Sequence, residues 1–129
     1  MKSIKQIVNF KSGPIDVYNA LMDSKKHSKF TGSKAVISKK IGGRFSAYEG
    51  GLHGKNLQLT EGKKIVQAWR CEMDEWPKNH YSTATFLLKK AKVGTKLIFT
   101  QVGVPDKCYK SIKQGWTDYY WKPMKKMLE

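Results

Sequence analysis

The chain has 129 residues, 40% hydrophobic and 12% aromatic, enough for one domain to bury its own core without a metal or a disulfide. Twenty-five Lys and Arg stand against 10 Asp and Glu, a net charge of +15 that favours acidic partners. Only Arg44 and Arg70 are arginine, the residue that reads phosphate and guanine bidentately, which argues against specific nucleic-acid recognition.

No apolar run approaches the ~20 residues of a membrane span. Met1–Phe10 lacks the apolar stretch and small-residue cleavage site of a signal peptide. The expectation is a single cytoplasmic domain over residues 1–129. Cys71 and Cys108 stand apart, with no metal or redox spacing, and read as buried or half-buried thiols.

Residues 2–10 place apolar side chains as a strand does, and Ser12-Gly13-Pro14 ends it. Pro14 suits the first turn of a helix, and Ile15, Val17, Tyr18, Leu21 and Met22 follow at helical spacing. A second short helix is expected over Ser24–Phe30. After Gly32 the texture changes to short strands between glycine turns: 35–37, 44–49, 53–60, 64–72, 80–88 and 95–104. One face of each later strand is apolar, with Ile65, Trp69 and Cys71 on the first, Ala84, Phe86 and Leu88 on the second, and Leu97 and Phe99 on the third.

After Pro105, Asp106 is a candidate N-cap. Tyr109, Ile112, Trp116, Tyr119, Tyr120 and Met124 then recur at steps of three and four, with lysines mostly on the other side. This is a long amphipathic helix. Gly115 within it suggests close packing, and Pro123 predicts a kink. The order is strand, two short helices, six strands, long helix. That is an α+β layout with helices against one face of an antiparallel sheet.

No catalytic constellation is recognisable: no G-x-S-x-G, no glycine-rich phosphate loop, no H-E-x-x-H. His27, His53 and His80 lie in three regions and read as surface or capping residues. Glu49 and Arg70 either face a cavity or point outward from their strands. No cofactor and no metal is implied, and the expectation is a binding protein rather than an enzyme.

Two kinds of candidate binding residue stand out. The first is a basic stretch without an acid, containing Lys25, Lys26, Lys29, Lys39 and Lys40 and ending at Arg44, suited to an acidic protein partner. The second is an excess of aromatic residues. Tyr48, Trp69, Phe86, Phe99, Trp116 and Tyr120 are candidates to line an apolar pocket between sheet and long helix. Trp76, in a loop before Pro77, is a candidate partner contact.

Three stretches carry a resemblance. They are Gly42-Gly43-Arg44-Phe45 with Glu49-Gly50 and Gly54; Lys64–Arg70 followed by Trp76-Pro77-Lys78-Asn79-His80-Tyr81; and Gly103-Val104-Pro105 leading to Gln114-Gly115-Trp116 and Tyr119-Tyr120. In this order they resemble the C-terminal domain of activators of the heat-shock protein 90 ATPase, a branch of the START-like superfamily. The resemblance implies the helix-grip fold, a curved sheet of about seven strands gripping a C-terminal helix. It also implies a non-catalytic co-chaperone that docks on a heat-shock protein 90-type chaperone. The N-terminal domain of full activators has no counterpart in these residues. Other members of the superfamily bind hydrophobic small molecules, so a carrier of an apolar ligand is the alternative.

Overall fold

Alternation of apolar and polar residues at period two builds most of the structure. The computed structural model describes residues 1–129. Strands β1 (Lys2–Phe10), β2 (Val36–Ile37), β3 (Arg44–Ala47), β4 (Leu52–Thr60), β5 (Lys64–Cys71), β6 (Ser82–Lys90) and β7 (Thr95–Val104) form one sheet. The order is β1-β7-β6-β5-β4-β3-β2, and every pairing is antiparallel. The sequence places the third strand two residues too far, because the chain leaves the sheet after Ala47 for a 3-10 turn over Tyr48–Gly50.

Helices α1 (Pro14–Met22) and α2 (Ser24–Thr31) carry the chain from one sheet edge to the other. Pro14 opens α1 as expected. Asp23 caps α2, its Oδ2 accepting from the Lys26 backbone N–H at 3.0 Å, and Gly32 ends it in the left-handed conformation.

The C-terminal helix has three segments: α3 (Tyr109–Gly115), a π-helical turn (Trp116–Trp121) and α4 (Lys122–Leu128). Pro123 does mark an irregularity, but it lies in the turn before the proline rather than as a bend at it. Pro123 has no N–H to offer the carbonyl of Tyr119, four residues back, and that carbonyl instead accepts the Tyr48 hydroxyl at 3.3 Å. Asp106 sits in a 3-10 turn before α3 and makes no side-chain cap.

The inward faces of β5, β6 and β7 and the helix meet in a tightly filled core. Phe99 is fully buried, its ring 4.4 Å from Trp116 and 5.0 Å from Phe86. Polar groups inside this core are paired. Gln101 donates to Ser82 Oγ at 2.9 Å and accepts the Trp116 indole N–H at 2.8 Å. Gly54 on β4 lies so close to β5 that a Cβ would come within 1.7 Å of the Ala68 carbonyl oxygen, so only glycine fits this pairing.

Candidate functional site

The sheet and the C-terminal helix do not fill the space between them evenly. Toward the ends of β4 and β5 they part around a groove of about 470 Å³, open on one side and within the range of small-molecule sites. Trp69 and Cys71 on β5 and Leu52 on β4 form its sheet wall. Ser111, Ile112 and Gly115 on α3, with Trp116, Tyr119 and Tyr120 from the π-helical turn, form its helix wall. Tyr48, Glu72 and Met73 complete the rim.

Local backbone geometry explains how Tyr48 reaches the rim. Tyr48, Glu49 and Gly50 have φ of 51°, 56° and 92°, three consecutive left-handed residues of which only one is glycine. Left-handed non-glycine residues are uncommon and cluster at binding sites. This strap turns the Tyr48 ring toward the helix, 5.9 Å from Tyr119 and 6.5 Å from Tyr120, and its hydroxyl closes on the Tyr119 carbonyl. On the other side, π-helical turns are frequent at functional sites, and this one sets Tyr119 and Tyr120 side by side on the groove wall.

Of the six expected pocket residues, four line the groove: Tyr48, Trp69, Trp116 and Tyr120. Phe86 and Phe99 do not. They pack beneath Trp116, and the void that Phe86 and Trp116 border is about 10 Å³, room for no more than one water. Gly115 also reverses its expectation. A Cβ there would meet nothing closer than the Tyr119 ring at 3.6 Å, so the glycine leaves space rather than permitting close packing. Ser111, Gly115 and Tyr119 lie four apart on one helical stripe. Two small residues beside the buried face carrying Ile112 and Trp116 are the signal that would have located the groove in the sequence.

Trp76 is corrected outright. It is only 3% exposed, donates its indole N–H to the His80 carbonyl at 2.7 Å, and packs 5.8 Å from Trp69. It is an inner wall of the core, not a partner contact. Arg70 clamps the same loop from outside, donating to the carbonyls of Pro77 and His80 and, through Nε, to Glu72 Oε2 at 2.7 Å. His53 reaches the same carboxylate at 2.7 Å. Hydrogen bonds from Arg70 first and His53 second hold the Glu72 carboxyl well below the usual range, down to about 2. Glu49 points to solvent.

His27 is likewise a core residue rather than a surface one. It is 5% exposed, with Nδ1 at 2.9 Å from the Leu21 carbonyl and Nε2 at 2.9 Å from the Tyr120 hydroxyl. Burial pushes its pKa down, against the opposing pull of the Leu21 carbonyl, and burial pushes that of Tyr120 up. Cys71 is half-buried on the groove wall with its thiol pushed up to about 11, chiefly by burial, and Cys108 is buried; both are free thiols.

The basic candidates all reach solvent. Lys25, Lys26 and Lys29 project from α2, and Lys39 and Lys40 from the loop after β2. Ser24 Oγ accepts the Ile37 N–H at 2.8 Å and Lys39 Nζ lies 3.5 Å from Asp23, so this loop runs beside the start of α2. No helix is long and apolar enough to cross a membrane.

The family model described as Activator of Hsp90 ATPase homolog 1-like protein matches residues 12–129. The chain belongs to that family. An activator of 90 kDa heat shock protein ATPase homolog from Dictyostelium discoideum is 33% identical over 116 residues, covering 89% of this chain and 30% of the relative. Homolog 1 of the human protein is 28% identical, over 90% of this chain and 34% of its own length. The chain thus spans about a third of the length of these activator-family relatives. Among solved structures, an HSP90 activator from Plasmodium falciparum superposes with a TM-score of 0.92 at 26% identity, over 99% of this chain and 96% of that one. The Aha1 dimer from Colwellia psychrerythraea has the same fold, at a TM-score of 0.83 and 19% identity. These activator-like neighbours carry the helix-grip fold, as the sequence motifs imply.

Proposed function

We propose that this domain is a non-catalytic, co-chaperone-like module that docks in the cytoplasm on a heat-shock protein 90-type chaperone, through the lysines of α2 and the loop after β2. The observation that carries the reading is the likeness to the Plasmodium falciparum HSP90 activator, which extends over nearly the full length of both chains. The exposed Lys25, Lys26, Lys29, Lys39 and Lys40 supply a face suited to an acidic surface. Titration of a purified chaperone of this type at two salt concentrations tests it. Binding should weaken with salt, and Lys25→Glu, Lys26→Glu and Lys29→Glu together should lower both the affinity and its salt sensitivity. An affinity that ignores the charge reversal removes the lysine face, and no binding by the unmodified domain removes the reading. Adding the domain to the chaperone's ATPase assay then asks whether docking stimulates turnover.

The groove favours a second reading, a carrier of an apolar small molecule held between the sheet and the C-terminal helix. Its test is Gly115→Leu, which fills the groove from a position on its helix wall where a Cβ meets only the Tyr119 ring, at 3.6 Å. Ligand binding should vanish while the fold remains. Ala84 is no place for such a block, since it is fully buried in the packed core.

A further inference from the structure

The groove differs in charge from the rest of the molecule. The chain has 25 basic residues and 10 acidic ones, yet no lysine or arginine lines this space, and its one charged wall is Glu72. That carboxylate stays ionised across the neutral range. Its Oε2 is occupied by Arg70 and His53 at 2.7 Å, whereas Oε1 receives only the 3.3 Å contact from Arg70 Nη2 and keeps accepting capacity. Arg70 does not line the groove: its Nε and Nη2 pair with Glu72, and its Nη1 turns to the carbonyls of Pro77 and His80.

Five aromatic rings surround the same space: Tyr48, Trp69, Trp116, Tyr119 and Tyr120. They are inclined to one another rather than stacked, by 71° between Tyr48 and Tyr119, 64° between Tyr48 and Tyr120, and 52° between Trp116 and Tyr120. Inclined rings form walls, and each ring face carries the negative lobe of its quadrupole. Aromatic walls beside an ionised carboxylate suit a weakly hydrated cation. An anionic head would face Glu72 with no basic side chain to meet it.

Resting on the carrier reading, we propose that the groove takes an amphiphile with a quaternary or protonated amine head, held by the tyrosine rings and Glu72, its apolar tail against Leu52 and Ile112. This preference runs against the net charge, which draws anions to the surface everywhere else. The two effects are therefore separable.

The test is calorimetric titration of the intact domain, at physiological salt and below micelle concentrations, with decyltrimethylammonium, decyl maltoside and decyl sulfate. The cation should bind about tenfold more tightly than the neutral maltoside, in line with a desolvated cation–π contact. Glu72→Gln and, independently, Tyr119→Leu should each weaken the cation several-fold, and by clearly more than they weaken the maltoside. Tyr119 is 60% exposed, so its replacement leaves the core intact. Equal binding of cation and maltoside, both lost in Gly115→Leu and neither altered by Glu72→Gln, would overturn the head-group assignment while keeping the carrier reading. A preference for decyl sulfate that survives Gly115→Leu would be surface charge alone and would also overturn it. No binding of any of the three removes the carrier reading as well.

Discussion

The two ends of the interface between sheet and C-terminal helix are built from the same elements and have opposite outcomes. At one end Phe86, Phe99, Trp116 and Trp121 pack with ring centroids 4.4 to 6.4 Å apart and leave almost no space. At the other, Gly51, Cys71, Ser111 and Gly115 leave about 470 Å³ open. Backbone architecture sets where helix and sheet face each other; side-chain volume along one helical stripe decides whether the space is core or cavity. Trp116 and Tyr120 belong to both ends, since their rings cap the packed cluster and line the groove.

The largest effects are expected in the packed end. Phe99→Ala removes a fully buried ring and should cost about 3–5 kcal/mol in denaturant unfolding, as large-to-small core changes do. Trp76→Ala should cost about as much and also leave the part-buried His80 carbonyl with only the 3.4 Å contact from Arg70 Nη1. A loss of partner affinity at unchanged stability would restore Trp76 to the surface role its loop position suggests in the sequence.

The next effect lies at the seam between the two ends, where His27 meets Tyr120. Burial disfavours the His27 imidazolium, so its folded pKa lies below the unfolded value near 6.5. Between those two values the unfolded chain binds more protons. The stabilising contribution of neutral His27 is therefore fully present above about pH 6.5 and is lost as pH falls through the folded pKa. Its share of the slope is at most about 1.4 kcal/mol per pH unit. Unfolding measured from pH 7 downward should fall more steeply for the native chain than for His27→Gln; parallel curves would place the titration elsewhere. Tyr120→Phe, which removes one hydrogen bond from His27 Nε2, should cost about 1 kcal/mol at neutral pH by the same measurement.

The smallest effect on stability is expected in the open end. Gly115→Leu gains roughly 1 kcal/mol of helix propensity, and its Cβ would make only an ordinary contact with the Tyr119 ring at 3.6 Å, so the midpoint of unfolding should hold or rise slightly. A strong destabilisation would mean that the groove closes in solution. Side by side, Phe99→Ala and Gly115→Leu separate a position where volume holds the fold from one where its absence makes a site.

The strand and helix order was legible in the sequence because period-two and helical spacing survive in every long element, from β1 to the C-terminal helix. The family motifs carried the fold the rest of the way. The site was only half legible. An aromatic residue at an inward position reads the same whether it fills a core, as Phe86 and Phe99 do, or walls a groove, as Trp69 and Tyr120 do. Trp76 misled because the loop that carries it folds back, anchored by Arg70 and by its own indole N–H, a tertiary contact with no local signature. His27 misled for a similar reason, its partner Tyr120 lying 93 residues away.

The π-helical turn gives the C-terminal helix one place where its length can change by a residue. It holds one residue more than an α-helical path would need, with the Lys122 N–H reaching back five residues to the Thr117 carbonyl. Deleting one residue between 116 and 121 would let the helix relax to regular geometry with α4 still in register, whereas a deletion within α3 or α4 would rotate everything beyond it by about 100°. Met124 would stay on its buried face, and the deletion would remove the offset that sets Tyr119 and Tyr120 side by side on the groove wall. Conservative substitutions in this segment are survivable one at a time. A single-codon deletion there is expected to reshape the groove wall and keep the end of the helix packed.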